Sequence, residues 1–428
     1  MSEPPQSWKT CALEDLCDAG KQAIVDGPFG SNLKRSDYRS SGIPVLKIQN
    51  IKENQIVIKK MDFVSEVKFR ELERHTYSDG DIVMTKLGDP LGVSAIVGGI
   101  APGLIVADLV RIRPTSIDTR FLCYQLNSPF MRAFLNGQQK GTTRPRVNLS
   151  MVRGLPISVP PLTEQVRIVA ILEEQFSRLD AALASIRTVR EKAKAFRRSL
   201  LQAAFHRTLA GESAVSIPSD WSLLPLDEVS EVRLGRQRSP RNHSGPLMRP
   251  YLRAANVTWQ GLDLTDVKEM NFSAEELRVL CLKPGDILVS EASGSPNEVG
   301  KAAIFQGEIE NCCFQNTLLR VRPLSIDTRY LHHFLTGTAM SGAYARESRG
   351  VGISHLGRAK LASWPIPVAP ALEQQRIGEM LNAQFSRLDA ALVVTNQLEA
   401  RIASARRSLL QAAFSGTLTA QWRETTHG

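Results

Sequence analysis

The sequence predicts a mixed α+β / α/β chain in which two globular domains alternate with two long helices, and the helices pair as an antiparallel coiled coil. Three observations predict it. The nine-residue blocks QFSRLDAAL (175–183 and 384–392) and RRSLLQAAF (197–205 and 406–414) each occur twice, at one constant offset (384 minus 175 and 406 minus 197 are both 209). Inside each repeat the apolar residues recur at alternating steps of three and four, which is the seam of a coiled coil rather than a broad amphipathic face. The segments outside the repeats also follow one order twice, although most of their residues differ. Such an internal repeat decides the architecture before any local pattern does.

The elements follow in order. Residues 1–155 form a first globular domain. β-type runs at 44–51, 55–64, 80–87 and 104–113 alternate with helical stretches at 65–75 and 119–135. The uncharged run 91–107 is broken by Gly98-Gly99 and Pro102-Gly103, so it reads as a buried hairpin and not a membrane span. Residues 156–212 form the first helical spacer. Pro156, Pro160 and Pro161 mark where the helix can begin, and a helix from Leu162 to Phe205 would be about 65 Å long. Its seam is Val169, Leu172, Phe176, Leu179, Leu183 and Ile186. A stammer then shifts it to Val189, Ala193, Phe196 and Leu200.

Residues 213–364 form a second globular domain that replays the first. Pro218 to Trp221 answers Pro5 to Trp8, Gly285-Asp-Ile-Leu answers Gly80-Asp-Ile-Val, and SIDTRYL (325–331) answers SIDTRFL (116–122). Residues 365–428 form the second spacer, introduced by Pro365, Pro367 and Pro370. Its seam is Leu381, Phe385, Leu388 and Leu392, followed by Leu398, Ile402, Ala405 and Leu409, with Gly378 and Thr395 departing from the first copy. A single helix of this kind has an apolar seam with nothing to bury it. Two nearly identical ones joined through a whole domain bury it against each other, running antiparallel.

Composition narrows the function. A net charge of +10 suits a polyanionic partner, with nucleic acid foremost. The start, MSEPPQSWKT, lacks a signal-peptide layout, and the six cysteines have no CxxC spacing, so a reducing cytoplasm is expected. Catalytic signals fail. Gly294 to Gly300-Lys301-Ala302 is one residue too long for a P-loop and has alanine where a hydroxyl belongs. Glu66-Val-Lys68 and Asp266-Val-Lys268 only mimic the end of a nuclease site, and His332-His333 point to different faces of a helix. Neither a glycine-rich methyl-donor loop nor an Asn/Asp-Pro-Pro-aromatic motif is found.

The whole layout resembles the DNA-specificity subunit of type I restriction-modification systems. The repeated Glu-Gln-x-Arg-Ile after the prolines (164–168 and 373–377), the segment GTTRPRVNLSMVRGLPISVPP (141–161) and the opening DGPFGSNLKRSDYRSSGIPVLKIQNI (26–51) carry the resemblance. It implies a non-catalytic subunit with two target recognition domains, each reading one half of a bipartite, asymmetric site in double-stranded DNA. The helices would fix the gap and dock two methyltransferase (modification) subunits, which restriction/translocase subunits join. No cofactor is implied for this chain: S-adenosylmethionine, ATP and Mg would belong to the partners.

Base reading needs paired donors and acceptors at the major groove, with cations for phosphates. In the first domain the candidates are Lys140, Thr142, Thr143, Arg144, Arg146 and Asn148, and beside them the weaker candidates Lys34, Arg35 and Lys86, whose rival reading is a solvated surface cation. In the second they are Arg233, Arg236, Gln237, Arg238 and Arg241, then Arg346, Arg349, Ser354 and His355. Two rivals stand beside this reading. One is a nuclease or methyltransferase acting alone, which a methyl-donor or metal requirement would reveal. The other is a non-sequence-specific, purely structural coiled-coil scaffold or adaptor that binds proteins through its two lobes, which salt-dependent DNA binding would separate.

Overall fold

The protein is described by a computed structural model over residues 5–17, 22–138, 146–205, 217–293, 298–347 and 354–427. It divides into two compact units, Met1–Ser185 with Leu398–Gly428, and Ile186–Gln397.

In the first unit an antiparallel sheet has the order Ile24–Asp26, Leu109–Ile112, Ile82–Thr85, Ser94–Ile96. A mixed sheet runs Asp62–Val64, Ile43–Leu46, Gly103–Ile105, Thr76–Tyr77, with Ile43–Leu46 and Gly103–Ile105 parallel. Ser94–Ile96 and Gly103–Ile105 therefore belong to different sheets, and the expected hairpin over 91–107 is not formed. The Gly98-Gly99 break lets the chain leave one sheet for the other. The run 104–113 splits likewise, at Val106 to Asp108. The helical stretch 119–135 becomes Thr119–Leu126 and Pro129–Gln138, because Pro129 has no N–H to continue the first helix.

The second unit repeats the antiparallel order with Ser230–Leu234, Leu318–Pro323, Ile287–Ser290 and Ala302–Ile304. Its smaller sheet places Met248–Leu252 between Lys268–Asn271 and Cys313–Phe314.

The shared motifs have structural causes. Asp81 is buried and its carboxylate takes two bonds from Arg113, at 2.7 and 2.8 Å; Asp286 does the same for Arg322, at 2.6 and 2.7 Å. Paired bonds of this kind satisfy a carboxylate that burial would otherwise penalise. Asp118 caps Thr119–Leu126, and Asp327 caps Thr328–Met340.

The strands Pro156–Val159 and Pro365–Val368 pair with Lys9–Ala12 and Ser222–Pro225, then lead into helices Leu162–Ala204 and Ala371–Phe414. At each entry the glutamine works twice. Gln165 Nε2 donates to the Pro160 carbonyl (2.8 Å) while its Oε1 accepts from Asp118 N–H (2.9 Å). Gln374 repeats this with Ala369 (2.7 Å) and Asp327 (2.8 Å). Gly378 replaces Val169 because a Cβ there would come within 3.2 Å of the Tyr330 backbone nitrogen and 3.1 Å of the Asp327 carboxylate.

Within each unit one helix end packs antiparallel on the other helix's opposite end. Leu172, Phe176 and Leu179 share the first core with Leu409, Leu410 and Ala413. Leu381, Phe385 and Leu388 share the second with Leu200 and Leu201, and Leu183 and Leu392 continue the seam half-buried. The expected stammer does not occur. Val189, Phe196 and Leu398 are exposed at 47%, 49% and 42%, whereas Arg190 and Arg197 are half-buried and Thr395 is buried. The heptad therefore runs on unbroken through Ile186, Arg190, Ala193, Arg197 and Leu200. An arginine can hold a seam position because its stem packs while its head reaches a polar acceptor.

Candidate nucleic-acid interface

In the first unit, Ile24–Asp26 and Ile82–Thr85 both pair antiparallel with Leu109–Ile112, so they run the same way and end together. In the second unit Ser230–Leu234 and Ile287–Ser290 do the same on Leu318–Pro323. From this end the chain leaves through Gly27 or Gly235. A Cβ on Gly27 would lie 2.1 Å from the Val106 backbone, and one on Gly235 would lie 2.3 Å from the Gln315 backbone. Only glycine allows that approach. The loops that follow carry Lys34 and Arg35 in one unit, and Gln237, Arg238 and Arg241 in the other. Two stretches unrelated in sequence thus occupy equivalent places.

In the first unit Lys34 and Arg35 are exposed, in a turn whose Lys34 N–H donates to Asp37. Lys86 is neither the DNA-facing cation expected of it nor a solvated one. It is 5% exposed, its ammonium lies 2.8 Å from Asp26, and it sits over the Phe29 ring. Burial beside a carboxylate makes it a tie between the two strand ends. Arg146 is exposed and its backbone bridges Leu87, with the Asp108 carboxylate 3.4 Å from its guanidinium. Asn148 spends its side-chain oxygen capping Leu149–Arg153 through Met151 N–H, at 2.8 Å. Lys140, Thr142, Thr143 and Arg144 lie outside the described residues.

In the second unit Arg236 turns inward. It pairs with Glu276 at 2.9 Å, donates to the Asn271 carbonyl and lies over the Phe272 ring. Arg233 pairs with Glu231 at 2.8 Å. Gln237, Arg238 and Arg241 are exposed, and the two guanidinium groups have no partner among the described residues. Arg346 donates to the Ser341 carbonyl at 2.7 Å, and Arg349 lies outside the described residues. The strand Ser354–His355 pairs with Ala292–Ser293, which sets His355 3.7 Å from Glu291. Glu291 stands where the first unit has Lys86, and His355 where it has Arg146. The two ends thus share a frame and differ in charge.

The catalytic look-alikes serve structure. Lys68 pairs with Glu71 and Glu66 with Arg70 within one short helix, and Asp266 pairs with Arg253 and with Lys268. His332 is bonded to the Ala302 carbonyl at 3.1 Å, and the His333 ring meets Phe385 edge-on at 5.2 Å. Burial holds both histidines below the usual range, His333 at about 3. Among the described residues no group of three His, Cys, Asp or Glu could hold a metal, and no helix is long and apolar enough to cross a membrane.

Sequence reasoning missed the polar residues of the seam. Arg197 pairs with Asp389 at 2.6 Å and covers the Phe385 ring; Arg406 pairs with Asp180 and covers the Phe176 ring. Their signal was present, because Phe176, Asp180 and Arg197 recur together at the offset of 209, as Phe385, Asp389 and Arg406.

A family model described as the type I restriction modification DNA specificity domain matches residues 5–187 and 218–402. The type I restriction enzyme EcoKI specificity subunit of Escherichia coli (strain K12) is 25% identical over 436 residues, covering 98% of this chain and 91% of that protein. The StySPI specificity subunit of Salmonella potsdam is 22% identical over 440 residues, with 98% and 91% covered. Among solved structures, a chain from a study of type I R-M complex assembly and conformational transition has a TM-score of 0.73 at 18% identity, covering 97% of this chain and 99% of that one. The HsdS subunit from Thermoanaerobacter tengcongensis has a TM-score of 0.52 at 19% identity, with 96% and 98% covered.

Proposed function

The chain belongs to the type I restriction modification DNA specificity family, and from that premise we propose that it binds double-stranded DNA as a specificity subunit, reading a bipartite site whose halves differ. The observation that carries this is the pair of equivalent sheet ends, each closed by its own glycine and each bearing different exposed groups. Lys34, Arg35 and Arg146 would serve one half-site; Gln237, Arg238, Arg241 and His355 would serve the other. Cations neutralise phosphates and fix register, and the amide and guanidinium groups are suited to base edges.

The chain itself is non-catalytic in this reading. Two methyltransferase subunits would dock along the helices, and restriction/translocase subunits would join them. The open apolar groove formed by Val189, Ala193 and Phe196 with Leu388, Ala391 and Leu392 supports a protein partner on the helices. The domain limits 1–155, 156–212, 213–364 and 365–428 remain the proposed division of labour between reading and spacing.

Replacing Arg238 and Arg241 with alanine tests the reading. Site selection should relax in one half-site and leave the other and the gap unchanged. Relaxation of both halves together would contradict separate readers.

A further inference from the structure

The two equivalent sheet ends handle charge differently. In the first unit both cations are paired, Lys86 with Asp26 at 2.8 Å and Arg146 with Asp108 at 3.4 Å. The backbone fixes their places: Lys86 N–H donates to the Asp108 carbonyl at 2.8 Å, and its own carbonyl accepts from Val147 N–H at 3.0 Å. Glu291 makes the same two bonds in the second unit. Its N–H donates to the Thr317 carbonyl at 3.0 Å, and its carbonyl accepts from Leu356 N–H at 2.8 Å. Leu234 lies across from Leu319 as Asp26 lies across from Val110. Lys86, Asp26, Asp108 and Arg146 are thus answered by Glu291, Leu234, Thr317 and His355. Two ion pairs have become one carboxylate beside one imidazole.

That carboxylate is ill suited to phosphates. It shares its end of the sheet with the loop carrying Gln237, Arg238 and Arg241, and there it opposes the approach of any duplex unless it meets a donor. The Glu291 side chain is 19% exposed and that of His355 58%. Glu291 Oε2 lies 3.7 Å from His355 Nδ1, beyond hydrogen-bond length, so both groups keep capacity for another partner. In the major groove the base donors are the N4 amine of cytosine and the N6 amine of adenine. Adenine sets its N7 acceptor beside N6, where it repels a carboxylate. Cytosine does not. Across the pair, guanine offers O6 and N7, to which an imidazole N–H can donate. An acceptor beside a donor on the protein matches a donor beside an acceptor on one base pair.

Resting on the DNA reading above, we propose that Glu291 and His355 together read a single C·G pair in the half-site of the second unit, Glu291 at cytosine N4 and His355 at guanine. The carboxylate contributes specificity rather than affinity. Its repulsion acts against every sequence, and a C·G pair at that position offsets it.

The test selects random duplexes with the full chain, co-expressed with its candidate methyltransferase subunit, and then measures binding to the selected site and to duplexes lacking it. Wild type should enrich a C·G pair at one position of the half-site that Arg238→Ala with Arg241→Ala also relaxes. Glu291→Ala should relax that position alone and weaken binding to the selected site about tenfold. Its binding to the other duplexes should be equal or tighter. Glu291→Gln, whose amide can accept from N6 and donate to N7, should shift the position toward adenine. This near-isosteric variant decides the matter if the alanine variant proves insoluble. His355→Ala should relax the same position, and the double variant no further one. Equal tightening on all duplexes, unchanged selection by Glu291→Gln, or relaxation of different positions by the two variants overturns the proposal. In each of those cases the wild type still selects two half-sites; a wild type that enriches no motif overturns the DNA reading itself.

Discussion

The entries of the two long helices start from the same residues and are fastened differently. Glu164 and Glu373 each accept an indole N–H, from Trp8 at 3.1 Å and Trp221 at 3.0 Å. Glu164 is also held by Thr419 at 2.6 Å and by Arg423, both from the last turns of the chain, and is almost fully buried. The positions that answer to Thr419 and Arg423 at the offset of 209 are Ala210 and Ala214, whose side chains can donate nothing. One layer deeper, Cys123 and Tyr124 answer to His332 and His333, and Tyr124 meets Phe176 at 5.7 Å where His333 meets Phe385. The residues duplicated in both units are those that satisfy buried polar groups of the frame. Where a second solution existed, the repeats have diverged.

The largest effect should come from breaking the first contrast. Glu164→Ala strands an arginine, an indole and a hydroxyl in a buried site and should cost the first unit about 3–5 kcal/mol. Glu373→Ala removes one indole acceptor and should cost about 1–2 kcal/mol. Urea unfolding monitored separately in the two units, by hydrogen exchange of peptides from each, measures both; equal losses would remove the contrast.

The second contrast predicts acid sensitivity of one unit. The folded pKa of His333, about 3, and that of His332 lie below the unfolded value of about 6.5, so the unfolded chain binds more protons between those limits. Stability of the second unit is therefore full above about pH 6.5 and falls as pH drops toward 3. Burial pushes Cys123 and Tyr124 up to about 12, so neither changes charge in that window. Hydrogen exchange across pH 4–7 should show the second unit opening first, and His332→Cys with His333→Tyr should abolish the difference.

A smaller effect sharpens what the units share. Arg197→Ala and Arg406→Ala should each cost about 1–2 kcal/mol in their own unit, since both clamps join a carboxylate and a ring. Smaller still in free energy, Arg238→Ala and Arg241→Ala should each lower the log–log salt slope of DNA binding by about 0.9 if they neutralise phosphates. Lys86→Ala should leave that slope alone and loosen the first unit instead.

Much of this frame was legible in the chain. The prolines placed both helix starts, and the repeated Gly-Asp-Ile and Ser-Ile-Asp-Thr-Arg marked residues that the fold uses twice. Beyond Ile186 apolar periodicity points to Val189 and Phe196, whereas the seam runs through Arg190 and Arg197, whose polar heads hide them from a hydrophobic pattern. The run 91–107 looked like a hairpin because neighbouring strands usually pair, while here each half joins strands distant in sequence. Candidate contacts were the least legible. Exposure and pairing depend on what folds nearby, which leaves Arg238 and Arg241 exposed and without a partner among the described residues but turns Arg236 inward and buries Lys86.

Selection of random duplexes by the purified chain, co-expressed with its candidate methyltransferase subunit and followed by sequencing of the bound DNA, tests the central claim most directly. Two short and different motifs at one fixed separation are predicted. Salt-sensitive binding with no enriched motif would contradict the claim and leave a basic scaffold whose loops do not read bases.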